Sequence, residues 1–171
     1  AIIDTPGTNA IIQHHEIITT TAVPRSDLVL FITSAEKPIS ESEATFLHKI
    51  KKWGKKVIIV VNKIDLLRNQ DEKDEIISYV THNVTTILGS VNPIPVFAVS
   101  GRIGLEAKKS SDASDPALGV AAKSWHSSGI GKFEEFLKST LGENELIHGK
   151  LQNALNVSDR VTKNAIEALK E

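Results

Sequence analysis

Apolar residues along this chain alternate between short unbroken runs and longer stretches with helical spacing, and that alternation predicts an α/β fold. Residues 28–32 and 57–61 are continuous, partly β-branched runs, the pattern of strands buried on both faces of a sheet. Residues 1–3 read as the end of another strand. Residues 94–99 read as a further one, with Pro95 near its start, where a missing ladder donor is tolerated. Helical spacing fills the intervals. Residues 9–22 place Ile11/Ile12, His15, Ile18 and Ala22 on one face and close at Val23-Pro24. Ser40 and Glu43 form a capping-box pattern ahead of Phe46, Leu47, Ile50 and Trp53, and Gly54 ends that helix. Residues 71–88 repeat the theme with Ile76/Ile77, Val80, Val84 and Ile87/Leu88, stopped by Gly89.

Further on the rhythm changes. Residues 101–130 lose periodicity and become rich in Ser, Gly, Ala and Lys, which predicts an inserted loop. Phe133, Phe136, Leu137 and Leu141 make one more short helix. Strands alternating with helices imply a mostly parallel sheet with helices on both faces and ligands at the carboxyl ends of its strands. By residue 142 that sheet is complete. Residues 143–171 are therefore a second unit, in which Ile147, Leu151, Ala154/Leu155, Val161, Ala165/Ile166 and Leu169 form a stripe that needs another partner.

Composition narrows the class only modestly. The 171 residues are 40% hydrophobic and 24% charged, as in a globular protein. A net charge of −1 gives no general attraction to nucleic acid or anionic lipid. With no cysteine there is neither a disulfide framework nor a thiolate metal site. No apolar run approaches the roughly 20 residues of a membrane span. Methionine is absent and Ala1 falls inside a strand-like run, so the expectation is an internal segment of a longer protein.

Chemistry concentrates at three strand ends. Asp4-Thr5-Pro6-Gly7 follows residues 1–3, and Asn62-Lys63-Ile64-Asp65 follows residues 57–61. In phosphate-binding α/β proteins a carboxylate placed like Asp4 holds Mg²⁺ through a water. Gly7, lacking a Cβ, lets its N–H approach a terminal phosphate oxygen. Thr5 to about Ala22, Thr8 included, would then be a switch region freed when that phosphate is lost. Asp-x-Pro-Gly is also good turn chemistry by itself. An Asp at position 65 can accept the N1–H and N2–H₂ donors of guanine, an edge adenine does not offer. Lys63 would lay its stem along the purine, and Asn62 would tie neighbouring loops together. The plainer reading of this tetrapeptide is a polar strand-end loop. Ser100-Gly101-Arg102 follows the 94–99 strand, where a small residue at 101 lets a backbone N–H reach guanine O6 while Ser100 braces the loop. Each motif is weaker alone than the ordered set of three. The phosphate-cradling Gly-x-x-x-x-Gly-Lys-Ser/Thr loop is absent; near Gly131-Lys132, His126 and Phe133 stand where Gly and a hydroxyl residue are required. His14 and His15 read as surface or capping imidazoles. Lys49, Lys51, Lys52, Lys55 and Lys56 read as complements to a helix dipole.

With those residues in place, the chain resembles the GTPase domain of the dynamin superfamily, in its mitofusin-like bacterial and plastid branch. The likeness is carried by Ile3 to Asn9, Val23-Pro24-Arg25-Ser26-Asp27, Ser34-Ala35-Glu36-Lys37-Pro38, Glu41-Ser42-Glu43, Asn62-Lys63-Ile64-Asp65, Val99-Ser100-Gly101-Arg102 and Leu105-Glu106-Ala107-Lys108. It implies a P-loop NTPase fold of the GTPase type over residues 1–142, without the P-loop and first switch, and the start of a helical bundle over 143–171. It implies GTP/GDP and Mg²⁺ as cofactors, with Asp4 toward the metal, Gly7 toward phosphate, and Asn62, Lys63, Asp65, Ser100 and Gly101 toward the base. Gly101 stands where many GTPases carry Ala. Thr8 stands where some carry a water-positioning Gln, so the catalytic group is unassigned. The resemblance further implies a homodimer through the GTPase domain, membrane lipid reached by other regions, chloroplast membranes as a location, and no nucleic-acid partner. Two other classes compete: a ribosome- or tRNA-associated GTPase sharing these motifs, and a tether that binds GTP with little turnover. Without a phosphate loop, residues 1–171 alone are expected to bind GTP poorly and not to hydrolyse it.

Overall fold

Strand β2 (Lys56–Asn62) forms the centre, and its composition explains its position: Val57 through Val61 are all buried, as a strand flanked on both edges and both faces requires. A computed structural model of the protein describes residues 3–4, 21–111 and 118–141, with 155, 158–159, 161–162 and 165–166 in helical conformation. The expectations for Thr5, Gly7, Thr8, His14, His15 and most of the 9–22 helix lie outside those residues. On either side of β2 run β1 (Leu28–Ser34) and β3 (Val96–Ala98), both parallel to it, in the order β1-β2-β3. Register pairs Leu28 with Lys56 and Ser34 with Asn62, and Ile59 with Val96. Parallel neighbours need crossover connections, supplied by helix α1 (Glu41–Trp53) between β1 and β2 and α2 (Gln70–Leu88) between β2 and β3.

Both crossover helices cover one face. Leu47 and Ile50 of α1 and Val80 and Val84 of α2 pack with Val29, Phe31, Val57, Ile59 and Val61. Each side chain so buried contributes about 1.5–3 kcal/mol. The expected capping box is present: the Glu43 N–H donates to Ser40 Oγ, and the Ser40 N–H donates to Glu43 Oε2 at 2.7 Å. Gly54 and Gly89 end α1 and α2 in left-handed conformation. Asn69 accepts the Glu72 N–H at 2.8 Å, which starts α2 one residue earlier than its apolar stripe suggests. Lys51 reaches across to donate to the Ile87 carbonyl at the end of α2, 3.1 Å away; this lysine satisfies a neighbouring helix rather than its own.

Three sequence expectations are corrected. Residues 101–130 are not a loop, for they contain α3 (Gly101–Ser111) and α4 (Leu118–Ser127). The buried positions of α3 are Gly104 and Ala107, side chains too small to register as an apolar stripe; a Cβ on Gly104 would lie 2.9 Å from Ile130. Strand β3 is three residues long rather than six, because Pro95 lies just outside it, its carbonyl accepting the Ile59 N–H at 2.9 Å. Strand β1 is not buried on both faces: Val29, Phe31 and Thr33 are buried, whereas Leu30 and Ile32 are 39% and 61% exposed. On that second face α5 (Ile130–Thr140) covers β3, with Phe133 and Phe136 against Phe97 at ring-centroid distances of 5.4 and 4.9 Å. Among the described residues, helices therefore lie on both faces at β3, while one face of β1 is open.

Candidate functional site

Where β2 runs out, the chain turns sharply. Asn62 is the last strand residue, and Lys63 takes a left-handed conformation (φ 66°, ψ 31°) that costs a non-glycine residue about 1–3 kcal/mol. Asn62 offsets that cost with its side chain: Oδ1 accepts the Lys63 N–H at 2.7 Å and the Gly101 N–H at 3.0 Å. Its backbone carbonyl accepts the Ala35 N–H at 2.8 Å. One residue thus holds the ends of all three strands. The turn passes into a 3₁₀ segment, Ile64–Leu66, whose buried Ile64 donates its N–H to the Val99 carbonyl. That segment delivers Asp65 to the loop after β3.

Asp65 is the electrostatic centre. Its side chain is only 7% exposed. Oδ1 accepts Ser100 Oγ–H at 2.5 Å, and Oδ2 accepts Arg102 Nε–H at 3.0 Å with Nη2 in ion-pair contact at 3.0 Å. The Ser100 hydrogen bond, with the Arg102 guanidinium adding to it against the effect of desolvation, holds the carboxyl below the usual aspartate range. Ser100 is fully buried and fully used: its Oγ also accepts the Ile103 N–H at 3.2 Å, capping α3, and its N–H donates to the Ser128 carbonyl. Gly101 presses on Asn62, yet a Cβ there would sit 3.6 Å from the nearest atom, so this position has room for the Ala many GTPases carry.

The structure brings Asn62, Lys63, Asp65, Ser100 and Gly101 together, with two departures from their expected orientation. Lys63 does not lie flat over an open base platform; its ammonium pairs with Glu36 Oε2 at 2.5 Å, and this hydrogen bond, with the charge behind it, lowers the Glu36 carboxyl pKa. The Gly101 N–H, expected to face guanine O6, is engaged by Asn62. Ile39 (φ 55°) and Lys63 are the non-glycine positions of positive φ among the described residues; they belong to the loops after β1 and β2 that the Lys63–Glu36 pair bridges. Asp4 is exposed, and a carboxylate is the oxygen ligand that Mg²⁺ takes beside its waters. Among the described residues no group of three or more His, Asp or Glu could hold a metal.

Two residues that sequence reasoning missed complete the site. Ser128 is fully buried; its carbonyl receives the Ser100 N–H, and its Oγ donates to the Trp125 carbonyl at 2.6 Å. Gly129 (φ 71°) follows, so close to β3 that a Cβ would stand 2.1 Å from the Ala98 carbonyl oxygen. This pair wedges α5 under the Ser100 loop. Its only sequence signal is a Ser-Ser-Gly ahead of an apolar helix start.

Several known proteins are similar to this chain. The dynamin family model ("Dynamin family") matches residues 1–64. The chain is 36% identical over 98% of its length to a "Probable transmembrane GTPase FZO-like, chloroplastic" of Arabidopsis thaliana, covering 19% of that protein. It is 29% identical over 82% of its length to "Dynamin-like protein 1" of Campylobacter jejuni, covering 19% of it. A "GTPase Der" of Leifsonia xyli is 28% identical over 70% of the chain, which covers 23% of that relative. The chain spans about a fifth of the length of these curated relatives. With a parallel α/β sheet and a family-model match over residues 1–64, the chain is similar over nearly all its length to GTPases of the dynamin family.

Proposed function

We propose that residues 1–142 are the base-reading portion of a GTPase domain, and that the whole protein binds GTP and hydrolyses it to GDP and phosphate to remodel or fuse membranes. One observation carries this reading: Asn62, Asp65, Ser100 and Gly101 converge at the ends of β2 and β3, interlocked by hydrogen bonds of 2.5–3.0 Å. Asp65 accepts the guanine N1–H and N2–H₂, Ser100 keeps that carboxylate ionised and aimed, and Asn62 fixes the distance between the two loops. Adenine offers Asp65 neither donor and is rejected. Asp4 would hold Mg²⁺ and Gly7 would serve the terminal phosphate; the ion, when bound, would supply charge neutralisation at the phosphates.

Residues 143–171 begin a helical bundle that carries the nucleotide state away from the GTPase domain. The similarity to a protein described as a transmembrane, chloroplastic GTPase supports a membrane setting, with chloroplast membranes favoured. No described helix is long and apolar enough to cross a membrane. Homodimerisation through the GTPase domain, without nucleic acid as a partner, completes the proposal. The test is Asp65→Asn in the full-length protein, which is expected to exchange guanine for xanthine preference. Phosphate release with and without liposomes separates a lipid-stimulated GTPase from a tether with little turnover.

A further inference from the structure

Both oxygens of the Asp65 carboxylate are taken, and one of them by a cation. Ser100 Oγ–H donates to Oδ1 at 2.5 Å, Arg102 Nε–H donates to Oδ2 at 3.0 Å, and Arg102 Nη2 lies 3.0 Å from the same oxygen as an ion pair. Guanine offers a carboxylate the same pattern: two neighbouring N–H donors on one planar N–C–N fragment. The guanidinium group carries that fragment too, with a full positive charge. We propose that Arg102 is an internal stand-in for the guanine edge, which an arriving base must displace from Asp65, and that Arg102 therefore sets how tightly the site takes guanine. This inference rests on the base-reading role of Asp65 given above.

The surroundings are arranged for exchange rather than permanent pairing. Asp65 is 7% exposed but the Arg102 side chain is 62% exposed, so the aspartate is fixed and the arginine is free to swing into water. Glu106, one helical turn along α3, already accepts Arg102 Nη1 at 3.4 Å. Once Oδ2 is surrendered, that carboxylate retains the cation on the rim of the site. Ser100 remains on Oδ1 in both states, because its hydroxyl is buried and also caps α3. An empty site thus keeps its carboxylate ionised and paired, without a bare buried charge.

Binding of guanosine, which has no phosphate and no charge, isolates this exchange. It is measured by displacement of fluorescent GDP from the full-length protein, with adenosine as the control. Arg102→Ala is expected to bind guanosine about two- to fivefold more tightly than wild type, the range an exposed ion pair can withhold. Arg102→Gln should behave alike. Added salt should tighten wild-type binding by screening the pair and leave the variants unmoved. Equal or weaker guanosine binding by both variants, beside normal guanosine-over-adenosine preference in wild type, would overturn the stand-in role and leave the base-reading role of Asp65 intact. Loss of that preference in wild type would overturn both.

Discussion

The carboxylate of Asp65 is held in its charged form by Ser100 and Arg102, and its pKa is correspondingly lowered. A group whose folded value lies below its unfolded value of about 3.9 stabilises the fold fully above that pH and loses its contribution as pH falls through the folded value. Thermal melts of wild type and Asp65→Asn should therefore differ at neutral pH and converge in acid, since Asn does not titrate. Parallel melting curves across the acid range would contradict this. At the adjoining position the expectation is near-neutrality. Gly101→Ala should change stability by no more than about 0.5 kcal/mol, because the new methyl meets Asn62 at an ordinary 3.6 Å. Chemical denaturation midpoints would decide it.

Among the elements, glycines at the two loops next to the site behave oppositely. Gly129→Ala forces a Cβ to within 2.1 Å of the Ala98 carbonyl at a φ of 71°, and should cost about 2–4 kcal/mol through backbone strain and overpacking. A shift in denaturation midpoint no larger than that of Gly101→Ala would refute the wedge between α5 and β3. Ser40→Ala, which removes the hydroxyl acceptor of the Glu43 N–H and leaves the Ser40 N–H bond to Glu43, should cost about 1 kcal/mol in the same assay. These contrasts also show what the sequence made readable. Helices α1 and α2 were legible because large side chains recur at helical spacing and glycines mark their ends. The β2 strand was legible as an unbroken β-branched run. The Asn62 and Asp65 cluster was legible because its residues stand next to those strand ends. Helices α3 and α4 were hidden by packing that uses Gly104 and Ala107 rather than large side chains. The wedge at Ser128 and Gly129 was hidden because its partner, the loop from Ala98 to Ser100, is distant in sequence and touched through backbone. Orientation was hidden too: periodicity says nothing about Lys63 turning to Glu36 or Arg102 to Asp65.

For the molecule as a whole, the open apolar positions define what remains to be covered. Leu155, Val161 and Ile166, all in helical conformation, are 63%, 59% and 47% exposed, and in the proposed bundle they meet other helices of the full-length protein. The double change Leu155→Asp with Ile166→Asp should leave GDP binding within about twofold while abolishing any lipid stimulation of phosphate release. Unaltered stimulation would remove this stretch from the coupling route. The wedge beneath the base loop has a mechanical corollary. Because Ser128 accepts the Ser100 N–H and Gly129 leaves no room for a Cβ beside the Ala98 carbonyl, the start of α5 is tied directly to the loop proposed to floor the purine site. If the proposed bundle and base site are right, load arriving at α5 would be felt first in that loop and would register as a change in how long the spent nucleotide stays.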